Sequence, residues 1–296
     1  MFPPQVPVIR PAAGGLGILV IVLALALSCA PPQPKPTGVA YEFDSAKDSF
    51  KRGRFDRTLE FCEGPSTASP PNAFTARAQV LQVVVYGGFI KADRQLADAY
   101  QKGSDANKTP RAKSAYLSLR HDNLQVASQL ALALAAVAHR ITQAGPIPKE
   151  VTLEAPYPTR EEAKAPPELA RVEEGAWVEP EDQEALARHA QFQGIEDALA
   201  EIVGGDRPKA RAALGAGPVK LNGGNFAIYL GQQLLVGESI FDKKHIHDPQ
   251  KSRTMLDEAD AAAKAAQAFL KENPDKTAEK SLKKLQDDIK SARKNM

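Results

Sequence analysis

The residues best suited to chemistry in this chain are the two imidazoles and the carboxylate of His245-Ile246-His247-Asp248. Alternating positions of an extended loop put both rings on one side, but a closed metal site takes about four ligands. His121, His139 and His189 are scattered through helical stretches, and neither cysteine lies nearby in sequence. The run therefore reads as a loop leading into a helix cap made by Asp248 and Pro249, and no metal is expected. Glycines cluster at 14–17, 204–205 and 223–224, without the preceding strand and terminal Lys-Ser/Thr of a phosphate loop. There is no Gly-x-Ser-x-Gly elbow and no His-Glu-x-x-His. Cys62 falls on the apolar side of a helix with Phe55, Leu59 and Phe61, where a thiol serves as a small hydrophobe. No catalytic residue and no cofactor are assigned, and the chain is not expected to be an enzyme.

Composition narrows the remaining classes. Of the 296 residues 43% are apolar and 25% charged, the balance of an ordinary globular protein. Thirty-eight Lys and Arg against 36 Asp and Glu leave a formal charge of +2, too little for a nucleic-acid-binding face. Aromatics are only 6%, with Trp177 the single tryptophan, while alanine is plentiful, which favours helices packed through small side chains. The expected fold class is all-α.

The amino terminus carries the strongest functional signal. Met1 to Arg10 hold one side-chain cation and no acid, no charge appears from Ala12 to Ala30, and Leu16 to Leu27 form a dense apolar core. That core is shorter than the roughly 20 residues a bilayer-crossing helix needs, and small residues and prolines follow it. The boundary Leu25-Ala26-Leu27-Ser28-Cys29-Ala30 resembles the lipobox of bacterial lipoproteins, with Ala26 and Leu27 in the reverse of that family's usual order. The resemblance implies that Cys29 receives a diacylglycerol, becomes the first residue after cleavage and is acylated on its amine. It also implies a protein held on a membrane of the bacterial envelope. Ala30 stands where that family places aspartate for inner-membrane retention in enterobacteria, so the outer membrane, facing the periplasm, is expected. Two or three acyl chains hold a protein on a membrane without a spanning helix. Residues 1–28 are thus read as a lipoprotein signal peptide and 29–40 as a lipidated tether, its prolines at 31, 32, 34 and 36 favouring an extended spacer.

Behind the tether the chain divides at a proline-rich acidic stretch. Glu150 to Glu184 carry 11 acids and 3 bases, whereas Tyr41 to Lys149 carry 15 bases and 10 acids. Two helical lobes, 41–144 and 181–296, are expected on either side of a linker at 145–180, which could lie electrostatically against the first lobe. Trp177, isolated near the end of that linker, is a candidate partner contact. In the first lobe, helices are expected over 44–62, broken at Gly53, from Pro70 to Gly87-Gly88, from Phe89 to Gln101, and from Thr109-Pro110 to Gln143. Asn123 to Ala138 hold no charged side chain, so that segment is expected to be a central helix wrapped by the others. The second lobe reads as helices over 181–203, 206–214, 226–241, 248–270 and 276–292.

Ala46-x3-Phe50-x2-Gly53-Arg54-Phe55-Asp56-x2-Leu59-x2-Cys62 resembles the middle of a tetratricopeptide repeat, and Ala265 to Pro274 resembles the end of its second helix. The 34-residue period does not recur, and Thr58 stands where that family has a small alanine. The resemblance implies antiparallel helix hairpins in a stack or bundle. The function expected of such a body is a lipid-anchored protein-binding scaffold or assembly factor, with an envelope protein as partner. The alternative is a tetratricopeptide-like lipoprotein that handles a small hydrophobic ligand as an accessory of a periplasmic solute transporter. Whether the uncharged helix lines a closed core or a hollow one separates the two.

Overall fold

The computed structural model describes residues 38–159, 169–176 and 179–296. Over these residues the chain is all-α apart from one two-stranded sheet. In order, the elements are α1 (Val39–Lys51), α2 (Phe55–Thr67), α3 (Thr75–Ala106), α4 (Pro110–Gln143), β1 (Glu150–Leu153), α5 (Leu169–Glu173), α6 (Pro180–Val203), α7 (Arg207–Gly215), β2 (Val219–Asn222), α8 (Gly223–Glu238), α9 (Pro249–Glu272) and α10 (Lys276–Asn295).

Helix starts follow local side-chain chemistry. Thr109, Asp206, Asn222, Asp248 and Asp275 each accept a hydrogen bond from a backbone N–H in the first turn of the helix that follows. Pro110 and Pro249 then sit where no N–H is needed. Gly53, at φ 68, makes the turn between α1 and α2, and Gly204, at φ 70, ends α6.

The central helix is α3, which corrects two expectations. Gly87-Gly88 does not end a helix, because α3 runs through both residues, and Val80, Leu81, Gln82, Val83, Val84 and Val85 are buried on every side of it. Interior glycines each cost about 1 kcal/mol of helix propensity. Here they give close approach: a Cβ on Gly88 would lie 2.8 Å from the backbone nitrogen of Ile195 in α6, and one on Gly87 would meet the side chain of Gln233 in α8. The uncharged segment of α4 is not the wrapped one. Its inward side packs on α3, α8 and α9, and its outward side is exposed. Likewise α2 does not end at Cys62, as expected, but continues through Pro65 to Thr67.

The two expected lobes are one body. Residues 38–296 form a single compact unit, and one hydrophobic core joins Phe43, Phe50 and Leu81 of the first half to Ile195, Leu230 and Met255 of the second. Residues 145–180, expected as a linker, contribute to that core where they are described. β1 pairs antiparallel with β2, Val151 facing Leu221, and buries Val151 and Leu153. Glu154 then receives Lys47 at 2.8 Å and Arg77 at 2.7 Å, and Tyr157 donates its hydroxyl to Glu196 at 2.8 Å. Lys102 meets Glu173 at 2.9 Å. The acidic stretch thus lies on basic residues of the first half, as its charge suggested, but through specific partners. A smaller cluster of Leu96, Tyr100, Tyr116, Val172 and Leu186 closes α3 and α4 against α5 and α6.

Candidate functional site

Cys29 and Trp177 lie outside the described residues. The imidazoles of the His245-Ile246-His247-Asp248 run are sent to different surroundings. His245 is held between Asp242, 2.9 Å from Nδ1, and Asp98 of α3, 3.1 Å from Nε2. His247 takes φ 54, is exposed and lines a separate cleft. Asp248 caps α9, and the N–H of Lys251 holds its carboxyl below the usual range. Among the described residues no group of three or more His, Cys, Asp or Glu side chains is placed to hold a metal ion.

Three interior groups carry reactive chemistry in principle. The Cys62 thiol is fully buried, and burial pushes its pKa up to about 12, which removes the thiolate that reactivity requires. Burial pushes the Asp93 carboxyl up to about 7, with the charge of Asp56 adding to the effect and a hydrogen bond with Gln191 opposing it. Its second oxygen has no partner. Glu238 is also raised, first by burial, and accepts a hydrogen bond from the Ser252 hydroxyl at 2.6 Å. A serine that donates to a buried acid with no imidazole between them is a structural pair rather than a nucleophile and its base.

Two of the open clefts of mixed polarity combine aromatic walls with charged rims. One, of about 540 Å³, has Phe241 and Leu235 in its wall and Arg94, Lys243, Lys284 and Asp288 on its lips. The other, of about 660 Å³, is floored by Phe55, Phe89 and Phe192 and rimmed by Arg52, Arg54, Arg57 and Arg188. Three of those arginines are already neutralised: Arg52 by Asp48 at 3.0 Å, Arg57 by Glu60 at 2.7 Å, and Arg188 by Glu184. Little charge is left to attract an anion.

The most distinctive surface is the outward side of α4. Ser118, Gln125, Gln129, Leu132 and Ala136 recur at helical spacing and are all exposed, with Val126 47% exposed and Leu132 36% exposed on this side. From Asn123 to Ala138 the helix carries no charge, so about 24 Å of it presents only amide and apolar side chains to solvent. The opposite side is packed without a hollow: Ala127, Ala131, Leu134 and Ala138 are all fully buried, and Ala131 lies against Gly237 of α8. The ends are fixed. Arg120 donates to the Lys244 carbonyl at 2.6 Å, and His139 meets Glu258 at 2.9 Å. By length and composition α4 could cross a membrane, but half of its most apolar window is buried inside the body.

The chain matches no protein-family model, no curated protein and no solved structure.

The exposed face was hidden in the sequence because an uncharged helix reads as a buried one. Its signal was the placement of the glutamines. Gln125 and Gln129 share an azimuth with Leu132 and Ala136, whereas Ala127, Ala131 and Leu134 share another.

Proposed function

We propose that this chain is a lipid-anchored protein of the bacterial envelope that acts by holding a protein partner against the outward face of α4, without turnover. The observation that carries the reading is that face, on which Val126 and Leu132 stand exposed in a stretch free of charge. Val126 and Leu132 are 47% and 36% exposed, so covering either contributes about 0.5–1.5 kcal/mol, and the stretch brings no charge to be desolvated. Binding is favoured over the handling of a small hydrophobic ligand because the inner side of α4 is close-packed, so the helix does not border a hollow. The lipid anchor rests on the sequence Leu27-Ser28-Cys29 after an uncharged apolar core. Tethering would raise the local concentration of partners on the same membrane.

The test uses the full chain in intact cells, with a photo-reactive residue placed at Gln129 or, as a control, at Lys290 on α10. Adducts with protein are expected from position 129 and not from 290. The same cells report the anchor: radiolabelled palmitate should enter the wild type and not Cys29→Ala. Equal adducts at both positions, or none at 129, would overturn the docking face, and a soluble, unlabelled wild type would overturn the anchor.

A further inference from the structure

We infer that the occupant of the α4 face is a second copy of this chain, packed antiparallel about a two-fold axis near Ala131. The inference rests on the docking reading above and names its partner. Asp122 and Arg140 bracket the uncharged stretch. They are eighteen residues apart, which is five full turns, so both stand on the same edge of the face, separated by about 27 Å along the helix.

Neither has an ion-pair partner among the described residues; Asp122 is exposed, and Arg140 is partly buried close to Tyr86, its Nε without a hydrogen bond. Their neighbours Arg120 and His139 are engaged within the body, Arg120 through one terminal guanidinium nitrogen on the Lys244 carbonyl and His139 with Glu258.

A two-fold axis at Ala131 sets the residue nine places before it opposite the residue nine places after it. Asp122 of each copy then meets Arg140 of the other, on one edge and twice over, as an isologous interface requires. Parallel two-fold packing would carry Asp122 and Arg140 of the second copy to the opposite edge, so neither pair would form and only the antiparallel arrangement makes both. Between the two pairs, Gln125, Gln129, Leu132 and Ala136 bring no charge that would repel the same surface of a second copy. One helix pair of this length buries less than the roughly 1,200 Å² of a stable dimer in solution. The pair therefore forms chiefly where anchoring to one membrane concentrates the copies.

Oxidative cross-linking of the full chain in membranes tests this, with Leu132→Cys near the axis, Lys290→Cys as an exposed control, and the unmodified chain as blank. A covalent homodimer is expected from Leu132→Cys alone. In that background Asp122→Arg or Arg140→Asp should each reduce the dimer by about tenfold, and the two together should restore it. Melting curves of each variant confirm that the body is folded. A Leu132→Cys adduct with a different protein, or a double variant as weak as the singles, would overturn the second copy and leave the docking face standing. No adduct of either kind would overturn both.

Discussion

Gly88 of α3 and Gly194 of α6 touch backbone to backbone: a Cβ added to Gly194 would fall onto the Gly88 carbonyl, and one added to Gly88 would lie 2.8 Å from the Ile195 nitrogen. The two helices cross at a point where only glycine fits, and the halves of the chain that a sequence reading separates are joined there. Gly88→Ala would gain helix propensity, about 1 kcal/mol, yet force apart a crossing in the core at a cost of about 1–3 kcal/mol or more. Net destabilisation is expected for Gly88→Ala and for Gly194→Ala in urea unfolding. A midpoint equal to or above that of the wild type in both would show that the crossing is loose.

The uncharged helix gives a sharper contrast. Ala131 is fully buried against Gly237, while Leu132, its neighbour, is 36% exposed. Ala131→Asp should unfold the body, because an unpaired buried charge costs several kcal/mol out of a total stability of roughly 5–15. Leu132→Asp should melt within a few degrees of wild type. Circular dichroism melts of the two variants check this, and equal losses would mean that α4 is wrapped on all sides.

Asp93 sets a pH dependence with a definite sign. Its folded pKa of about 7 lies above the ordinary 3.8, so between these values the folded state keeps a proton that the unfolded state releases. Stability contributed by this group is therefore full at about pH 4 and falls as pH rises through 7, by on the order of 3–4 kcal/mol. Asp93→Asn should remove that fall, leaving a variant more stable than wild type at pH 8. Parallel pH profiles for the two proteins would contradict it.

Glu154 tests the stitching of the acidic segment. It joins β1's end to Lys47 and Arg77 with its side chain 20% exposed. Glu154→Gln should cost about 1 kcal/mol, a loss that high salt reduces by screening the wild-type pairs. Thermal melts at low and high salt would show it, and no difference in either would mean the segment is held by its apolar residues alone.

The elements legible in the sequence were those with local chemistry. Thr109-Pro110, Asp206 and Asp248-Pro249 announced helix starts, whereas Asn222 caps α8 at Gly223, ahead of the expected start at 226. Non-local decisions were not legible. Gly87-Gly88 carries the signature of a helix end, and only its fit against α6 and α8 keeps α3 continuous. Glu150–Leu153 is a strand because Val219–Asn222, far along the chain, completes its hydrogen bonds. The candidate face on α4 was misplaced for a related reason: charge tells whether a helix surface is solvated, but an uncharged surface is compatible with core, membrane or partner alike.

The central claim is that the outward face of α4 holds a protein, and Leu132→Arg addresses it most directly. This variant places a cation in the middle of the face while leaving Ala131 and the packed side intact. Chemical cross-linking in intact membranes, followed by solubilisation and sedimentation of wild type and Leu132→Arg side by side, is the decisive measurement. The variant is expected to keep its melting temperature and its membrane fraction and to sediment as a lone chain, whereas the wild type sediments in a larger complex. Identical sedimentation of two equally folded, equally membrane-bound proteins would contradict it.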